Sequence, residues 1–248
     1  MNPKVWRVEH FTEIDSTNTW LARRADEGAK EGLVAYADYQ SSGRGRLDRQ
    51  WEAPTGTALL CSVLLRPAID ADQLQMAVAA VALALRAALV RLCGVRPGLK
   101  WPNDLLVNDR KIAGLLAEIV TTGDQWAVVV GFGVNLTSCP DPATSTSVLE
   151  ESGVTITPLA LLDIVLEELE ERRHELDTEV GQSALRDEYE RSLLTLGQAV
   201  RVETQNGVFV GEARRVDNRG RLVLDTDGGE MKFFVGDVVH LRTQESAS

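Results

Sequence analysis

Apolar and polar positions divide the chain into two textures. Up to about residue 196, long apolar runs alternate with helical patterns; from residue 200 onward, short alternating segments are cut by glycine-rich turns. Residues 5–11 alternate and predict a first strand. Asp15-Ser16-Thr17-Asn18 offers several N-caps ahead of a helical pattern over 19–28, with Gly28 at its end. Residues 32–39 predict a second strand and 57–65 a third, stopped by Arg66-Pro67. Residues 72–92 are apolar on nearly every helical face, so this helix is either buried or dimer-forming. Cys93-Gly94 ends it.

Further on, Pro102 cannot donate to a ladder, so Trp101-Pro102-Asn103-Asp104 reads as a bend. Residues 105–107 and 112–120 flank Asn108-Asp109 and predict a tight hairpin. Residues 126–135 form another strand, with glycines at 131 and 133 that bring a ligand close or only relieve crowding. Residues 138–147 read as a loop. Thr157-Pro158 opens a helix with Leu161, Leu162, Ile164, Val165, Leu166 and Leu169 on its apolar face. Glu167, Glu168, Glu170 and Glu171 form its solvated face rather than a metal site. Residues 184–194 predict one more helix. The predicted architecture is α/β (α+β), a mixed sheet with flanking helices over 1–196. Five short strands over 197–248 suggest a small β-barrel.

The chain has 248 residues, of which 44% are apolar, enough for a sizeable core. No uninterrupted apolar run reaches the ~18 residues of a membrane helix, and Met1-Asn2-Pro3-Lys4 carries no signal-peptide pattern. Cys61, Cys93 and Cys139 are odd in number and widely spaced, which fits neither a disulfide framework nor a zinc cluster. A reducing cytoplasm follows as the expected compartment. A net charge of −11 repels polyanions and disfavours sequence-independent nucleic-acid binding.

Against that acidic background one stretch stands out, Tyr39-Gln40-Ser41-Ser42-Gly43-Arg44-Gly45-Arg46-Leu47-Asp48-Arg49-Gln50-Trp51. Glycines let backbone N–H groups fold around a ligand, and arginine forks suit phosphate and carboxylate oxygens. A solvated basic turn or a nucleic-acid loop are the alternatives at this point. Lys111 begins a strand that Gly114 interrupts. On local sequence Ser16 and Thr17 read first as helix caps, Asp104 reads also as a turn residue, and Trp51 and, more so, Trp101 read as core. The histidines, His10, His174 and His240, are isolated.

Four motifs in order give the chain a resemblance to biotin–protein ligases. These are Asp15-Ser16-Thr17-Asn18; Gln40 with Gly43-Arg44-Gly45-Arg46 through Trp51; Lys100-Trp101-Pro102-Asn103-Asp104 with Arg110-Lys111-Ile112-Ala113-Gly114; and Gly131-Phe132-Gly133-Val134-Asn135. The match covers about residues 10–136, and the C-terminal barrel also fits. The resemblance implies a class II synthetase-like catalytic domain over 1–196 and an SH3-like barrel over 197–248. It implies that biotin and MgATP form biotinyl-5′-AMP, which then acylates a lysine of a biotin carboxyl carrier domain.

It further implies that Ser16, Thr17, Asn18, Gln40, Arg44, Gly45, Arg46, Lys111 and Gly114 bind biotin. Arg44, Arg46, Trp51, Asn103, Lys111 and Asn135 would bind the nucleotide. Lys111, Arg46 and Asp104 would carry the chemistry, with Asp104 orienting the incoming lysine, and Asn103 and Asn135 would make purine, ribose or metal-side contacts. Two departures stand beside this. Asp48 replaces the family's usual glycine, and only about ten residues precede the first motif. The expectation is therefore an enzyme without a DNA-binding role, monomeric or weakly dimeric. A lipoate–protein ligase or acyl transferase of similar fold, and a non-catalytic biotin sensor, are the competing readings.

Overall fold

The computed structural model describes residues 6–47, 49–122, 125–234 and 236–241. Its centre is a seven-stranded mixed sheet. The strands are β1 (Arg7–Phe11), β2 (Leu33–Ala37), β3 (Ala58–Leu65), β4 (Gly98–Lys100), β5 (Asp104–Val107), β6 (Arg110–Thr122) and β7 (Gln125–Asn135). Their order is β1-β2-β3-β7-β6-β5-β4. Only β1 and β2 pair in parallel; the other ladders are antiparallel. Every residue of β2 and β3 is buried, which explains their continuous apolar runs.

The helices α1 (Thr17–Asp26), α2 (Leu74–Cys93), α3 (Val148–Ser152), α4 (Pro158–Glu175) and α5 (Glu179–Ser192) complete this part. Leu21 and Ala25 of α1 pack on Leu33, Ala35, Leu64 and Val129, one face of the sheet. The other face, with Val34, Tyr36, Val63 and Val130, packs against α2 and α4. Helix α2 has the length and apolarity of a membrane span, but residues 76–85, Ala88 and Leu89 are buried inside this chain. Each fully buried leucine there stabilises the fold by roughly 1.5–3 kcal/mol. Most of the apolar surface of α2 is thus covered by its own sheet and helices, so the buried alternative applies to residues 76–85, Ala88 and Leu89. Gly94 closes it in the left-handed region at φ 72°.

Two features of the sheet shape the site. Asn108 and Asp109 both have positive φ, 50° and 63°, the mirror-image turn that a two-residue hairpin prefers. Next to it, Leu105 pairs with Ala113 but Leu106 pairs with Lys111, so Ile112 is the extra residue of a bulge. The bulge shifts side-chain alternation by one, and Lys111 can then face the same way as Gly114.

The C-terminal residues form a second sheet. It consists of β8 (Ala199–Thr204), β9 (Gly207–Val216), β10 (Leu222–Thr226), β11 (Gly229–Phe233) and β12 (Asp237–His240). All ladders are antiparallel, in the order β11-β10-β9-β8-β12. Its apolar side joins the main core, since Val200, Val202, Leu222 and Phe233 belong to the same buried cluster as α2. Trp101 is 1% exposed and donates its indole N–H to Gly220 O at 3.2 Å, so it is a core residue at this junction.

Candidate active site

Beyond the N-terminus of α1, on the α1 side of the sheet, lies a polar cleft. It is lined by Ser16, Thr17, Asn18, Gln40, Arg44, Gly45, Arg46, Trp51, Asn103, Asp104, Lys111 and Gly114, with Gly131 and Gly133 on its floor. Fourteen residues drawn from four separated motifs therefore share one cavity. Arg49 and Asp237 stand at its rim.

Its uncharged end is built by the start of α1. The Ser16 side chain caps the helix by accepting Thr19 N–H, so the capping reading and the cleft reading are both correct for it. Thr17, expected as a cap candidate, is already inside α1 and 3% exposed. Gln40 Oε1 accepts Thr17 N–H at 2.7 Å, and Thr17 Oγ1 lies 2.7 Å from Ser62 Oγ. Ser62 in turn donates to Asn18 Oδ1 at 2.6 Å. A Cβ added at Gly131 would collide with Asn18 Oδ1, so the glycine makes room for this amide.

The charged end gathers four cations. Lys111 Nζ pairs with Asp104 Oδ1 at 2.6 Å and lies 5.6 Å from the centroid of the Trp51 ring. A Cβ at Gly114 would fall 2.7 Å from Lys111 Nζ, so that glycine keeps the ammonium's place free. Arg44 Nη1 pairs with Glu118 Oε1 at 2.7 Å. Arg46 donates to Asn103 Oδ1 at 3.1 Å and to Gly236 O at 3.3 Å, and Arg49 pairs with Asp237. Burial holds the Arg46 guanidinium below its usual pKa, opposed by the nearby Asp237 and Asp104 carboxylates. Arginine remains charged at neutral pH despite this. The Trp51 ring lies across Gly133, where any Cβ would enter the indole, and its buried N–H has no hydrogen-bond partner among the described residues.

One expected residue lies elsewhere. Asn135 is 3% exposed, and its amide donates to Thr146 O at 2.9 Å and to Lys111 O at 3.4 Å. It borders the adjoining groove with Trp51, Ser138 and Cys139 rather than the cleft itself. Its visible work is to tie the backbone of Lys111 to the 144–146 segment. Asp48, the departure in the loop, lies outside the described residues. The sequence reading also missed Ser62, Glu118 and Asp237. Ser62 interrupts the apolar strand β3, and Glu118 is the one charged residue in the 112–121 stretch of β6, a signal that could have marked them.

Among the described residues, the acidic groups in and beside the cleft are matched to cations: Asp104 to Lys111, Glu118 to Arg44 and Asp237 to Arg49. Among the described residues no group of three or more His, Cys, Asp or Glu is placed to hold a metal ion. Cys61 is a buried free thiol with its pKa pushed up by desolvation, unsuited to act as a nucleophile. The arrangement thus offers hydrogen bonds at one end and four cations, three of them ion-paired, at the other.

Known proteins share this arrangement of the chain. Residues 10–135 match the biotin/lipoate A/B protein ligase family, and residues 195–241 match the biotin protein ligase C terminal domain. A biotin–[acetyl-CoA-carboxylase] ligase of Mycobacterium tuberculosis is 36% identical, covering 96% of this chain and 90% of that protein. One from Paracoccus denitrificans is 34% identical, covering 92% of this chain and 98% of that protein. The structure of the Aquifex aeolicus biotin protein ligase in complex with biotin and ATP superposes with a TM-score of 0.79 at 26% identity, covering 96% of this chain and 99% of that one. Relatives at this identity and coverage, together with the matched motifs, establish that the chain belongs to the biotin/lipoate A/B protein ligase family.

Proposed function

We propose that this protein is a biotin–protein ligase that makes biotinyl-5′-AMP from biotin and ATP and passes the biotinyl group to a lysine of a carboxylase carrier domain. The single observation that carries this reading is the two-ended cleft, uncharged at Ser16, Thr17 and Gln40 and cationic at Arg44, Arg46 and Lys111. The match of residues 195–241 to the biotin ligase C-terminal domain favours biotin over lipoate. We take that sheet to be the SH3-like unit and the boundary to fall near residue 197.

In the first step a carboxylate oxygen of biotin attacks the α-phosphorus, and pyrophosphate leaves. No protein nucleophile is required. What the protein must supply is juxtaposition of two anions and stabilisation of charge that builds in flight. In this reading the ureido ring lies against Ser16, Thr17, Asn18 and Gln40. Proton accounting supports that: Ser62 spends its single proton on Asn18, so Thr17 turns its hydroxyl proton toward Ser62 or Gln40 and keeps lone pairs free to accept an N–H. The carboxylate and α-phosphate lie between Lys111 and the loop formed by Arg44, Gly45 and Arg46. Gly114 allows this approach. The adenine stacks on Trp51, and Asn103 and the groove beside Asn135 receive the rest of the nucleoside. Magnesium arrives as the counter-ion of the triphosphate, as part of the substrate.

In the second step the carrier lysine attacks the acyl carbon and AMP departs, while the amine proton is lost. In this reading Asp104 orients that amine; its pairing with the Lys111 ammonium at 2.6 Å supports a carboxylate that receives an amine at this point of the cleft. The reading makes the carrier domain the macromolecular partner, in the cytoplasm, with no nucleic-acid or membrane role. Its test is transfer of labelled biotin from ATP and biotin to a carrier domain. Label on the carrier only with ATP, and pyrophosphate released with biotin but not with lipoate, is the expected result. Turnover with lipoate alone overturns the substrate assignment, and binding of biotin without pyrophosphate release leaves a sensor instead of an enzyme.

A further inference from the structure

Glu118 is the one charged residue in the 112–121 stretch of β6, and both of its carboxylate oxygens are engaged. Oε2 accepts from Asn18 Nδ2 at 2.8 Å, and Oε1 pairs with Arg44 at 2.7 Å. The amide that meets it cannot be turned round. Leu116 O and the Glu118 carboxylate can only accept, so the side of Asn18 that faces them, at 3.2 and 2.8 Å, is its nitrogen, and its oxygen then takes the Ser62 proton. A string of side chains therefore runs from Gln40 through Thr17, Ser62 and Asn18 to Glu118 and ends on Arg44. Thr17, Ser62 and Asn18 are 3%, 0% and 4% exposed, so the string has little freedom to swing. Arg44 itself is half exposed and, among the described residues, has no other ion pair.

We propose that Glu118 is a positioning residue: it sets Arg44 over the cleft, in register with the biotin-recognition end, and so governs how long the acyl-adenylate is retained. This rests on the ligase reading above. Only a carboxylate can serve here. A glutamine of the same shape turns its NH₂ toward one of two donors, Asn18 Nδ2 or the Arg44 guanidinium, and one contact is lost whichever way it faces.

The test uses the full chain. Pyrophosphate release by the unaltered protein first establishes that the adenylate forms, so failure of the ligase reading shows before any variant is compared. Pre-formed adenylate is then chased with unlabelled biotin in the unaltered protein, Glu118→Gln, Glu118→Asp, Arg44→Ala and the double variant Glu118→Gln/Arg44→Ala. Glu118→Gln is expected to lose adenylate about tenfold faster, the order of effect of a lost charge-assisted hydrogen bond. Glu118→Asp is expected to recover part of that loss, and the double variant to leak no faster than Arg44→Ala alone. Unaltered retention in Glu118→Gln overturns the proposal, as does a double variant whose factor is the product of the two singles. If Glu118→Gln does not melt cooperatively, Ser62→Ala decides in its place. It frees the Asn18 amide from the far end of the string, so faster leakage supports the proposal and unchanged retention overturns it.

Discussion

Gly131→Ala tests the packing of the cleft most directly. Gly131 is absent from the positive-φ positions, so alanine meets no backbone strain there. Its Cβ does meet Asn18 Oδ1 inside contact distance, with Ser62 Oγ at 3.1 Å beside it. Asn18 has nowhere to retreat while it keeps its partners: Ser62, Leu116 O and Glu118. Displacing it forfeits two ordinary hydrogen bonds at ~0.5–1.5 kcal/mol each and one to a carboxylate at ~1.5–3 kcal/mol. Water in the open cleft recovers part of that, and glycine replacement returns ~0.4–1 kcal/mol through the unfolded chain. A net loss of about 2–3 kcal/mol remains, or a fall in Tm of roughly 4–12 °C for a chain of this size. Thermal melting and biotin calorimetry on one preparation measure both parts. A variant within about 0.5 kcal/mol of the unaltered protein, with unchanged biotin affinity, would refute the claim that Asn18 is locked.

Two further outcomes are expected. Lys111→Ala is expected to lower adenylate formation by at least about tenfold, or ~1.4 kcal/mol, in a pyrophosphate-release assay; near-normal turnover would remove Lys111 from the electrostatic role. Arg46→Gly cuts the contacts to Asn103 and Gly236 and is expected to raise the adenylate off-rate in a chase, whereas an unchanged rate would reject a covering role for the loop.

Much of this was legible in the chain itself. Long apolar runs marked β2, β3, β7 and α2, and the turn chemistry of Asn108-Asp109 marked the hairpin that carries Lys111. The parts that escaped share a physical cause. Strand β4 has three residues and helix α3 five, too short for any period to emerge. The bulge at Ile112 is a matter of pairing between strands, which local pattern does not encode. Asn135 fits a ligand contact by motif, but its amide is spent on carbonyls brought near only by tertiary folding. Ser62 and Glu118 acquire meaning only once β3, β6 and α1 lie side by side.

The loop and the C-terminal sheet are joined by Arg46 donating to Gly236 O, a bond spanning 190 positions of sequence, and by Arg49 with Asp237. The last strands therefore serve as a mooring for the flap that precedes them in the chain by most of its length. Cutting the molecule near residue 197 would take both of these anchors away from the arginine loop that borders Lys111, so segments far apart in sequence are tied together at the cleft.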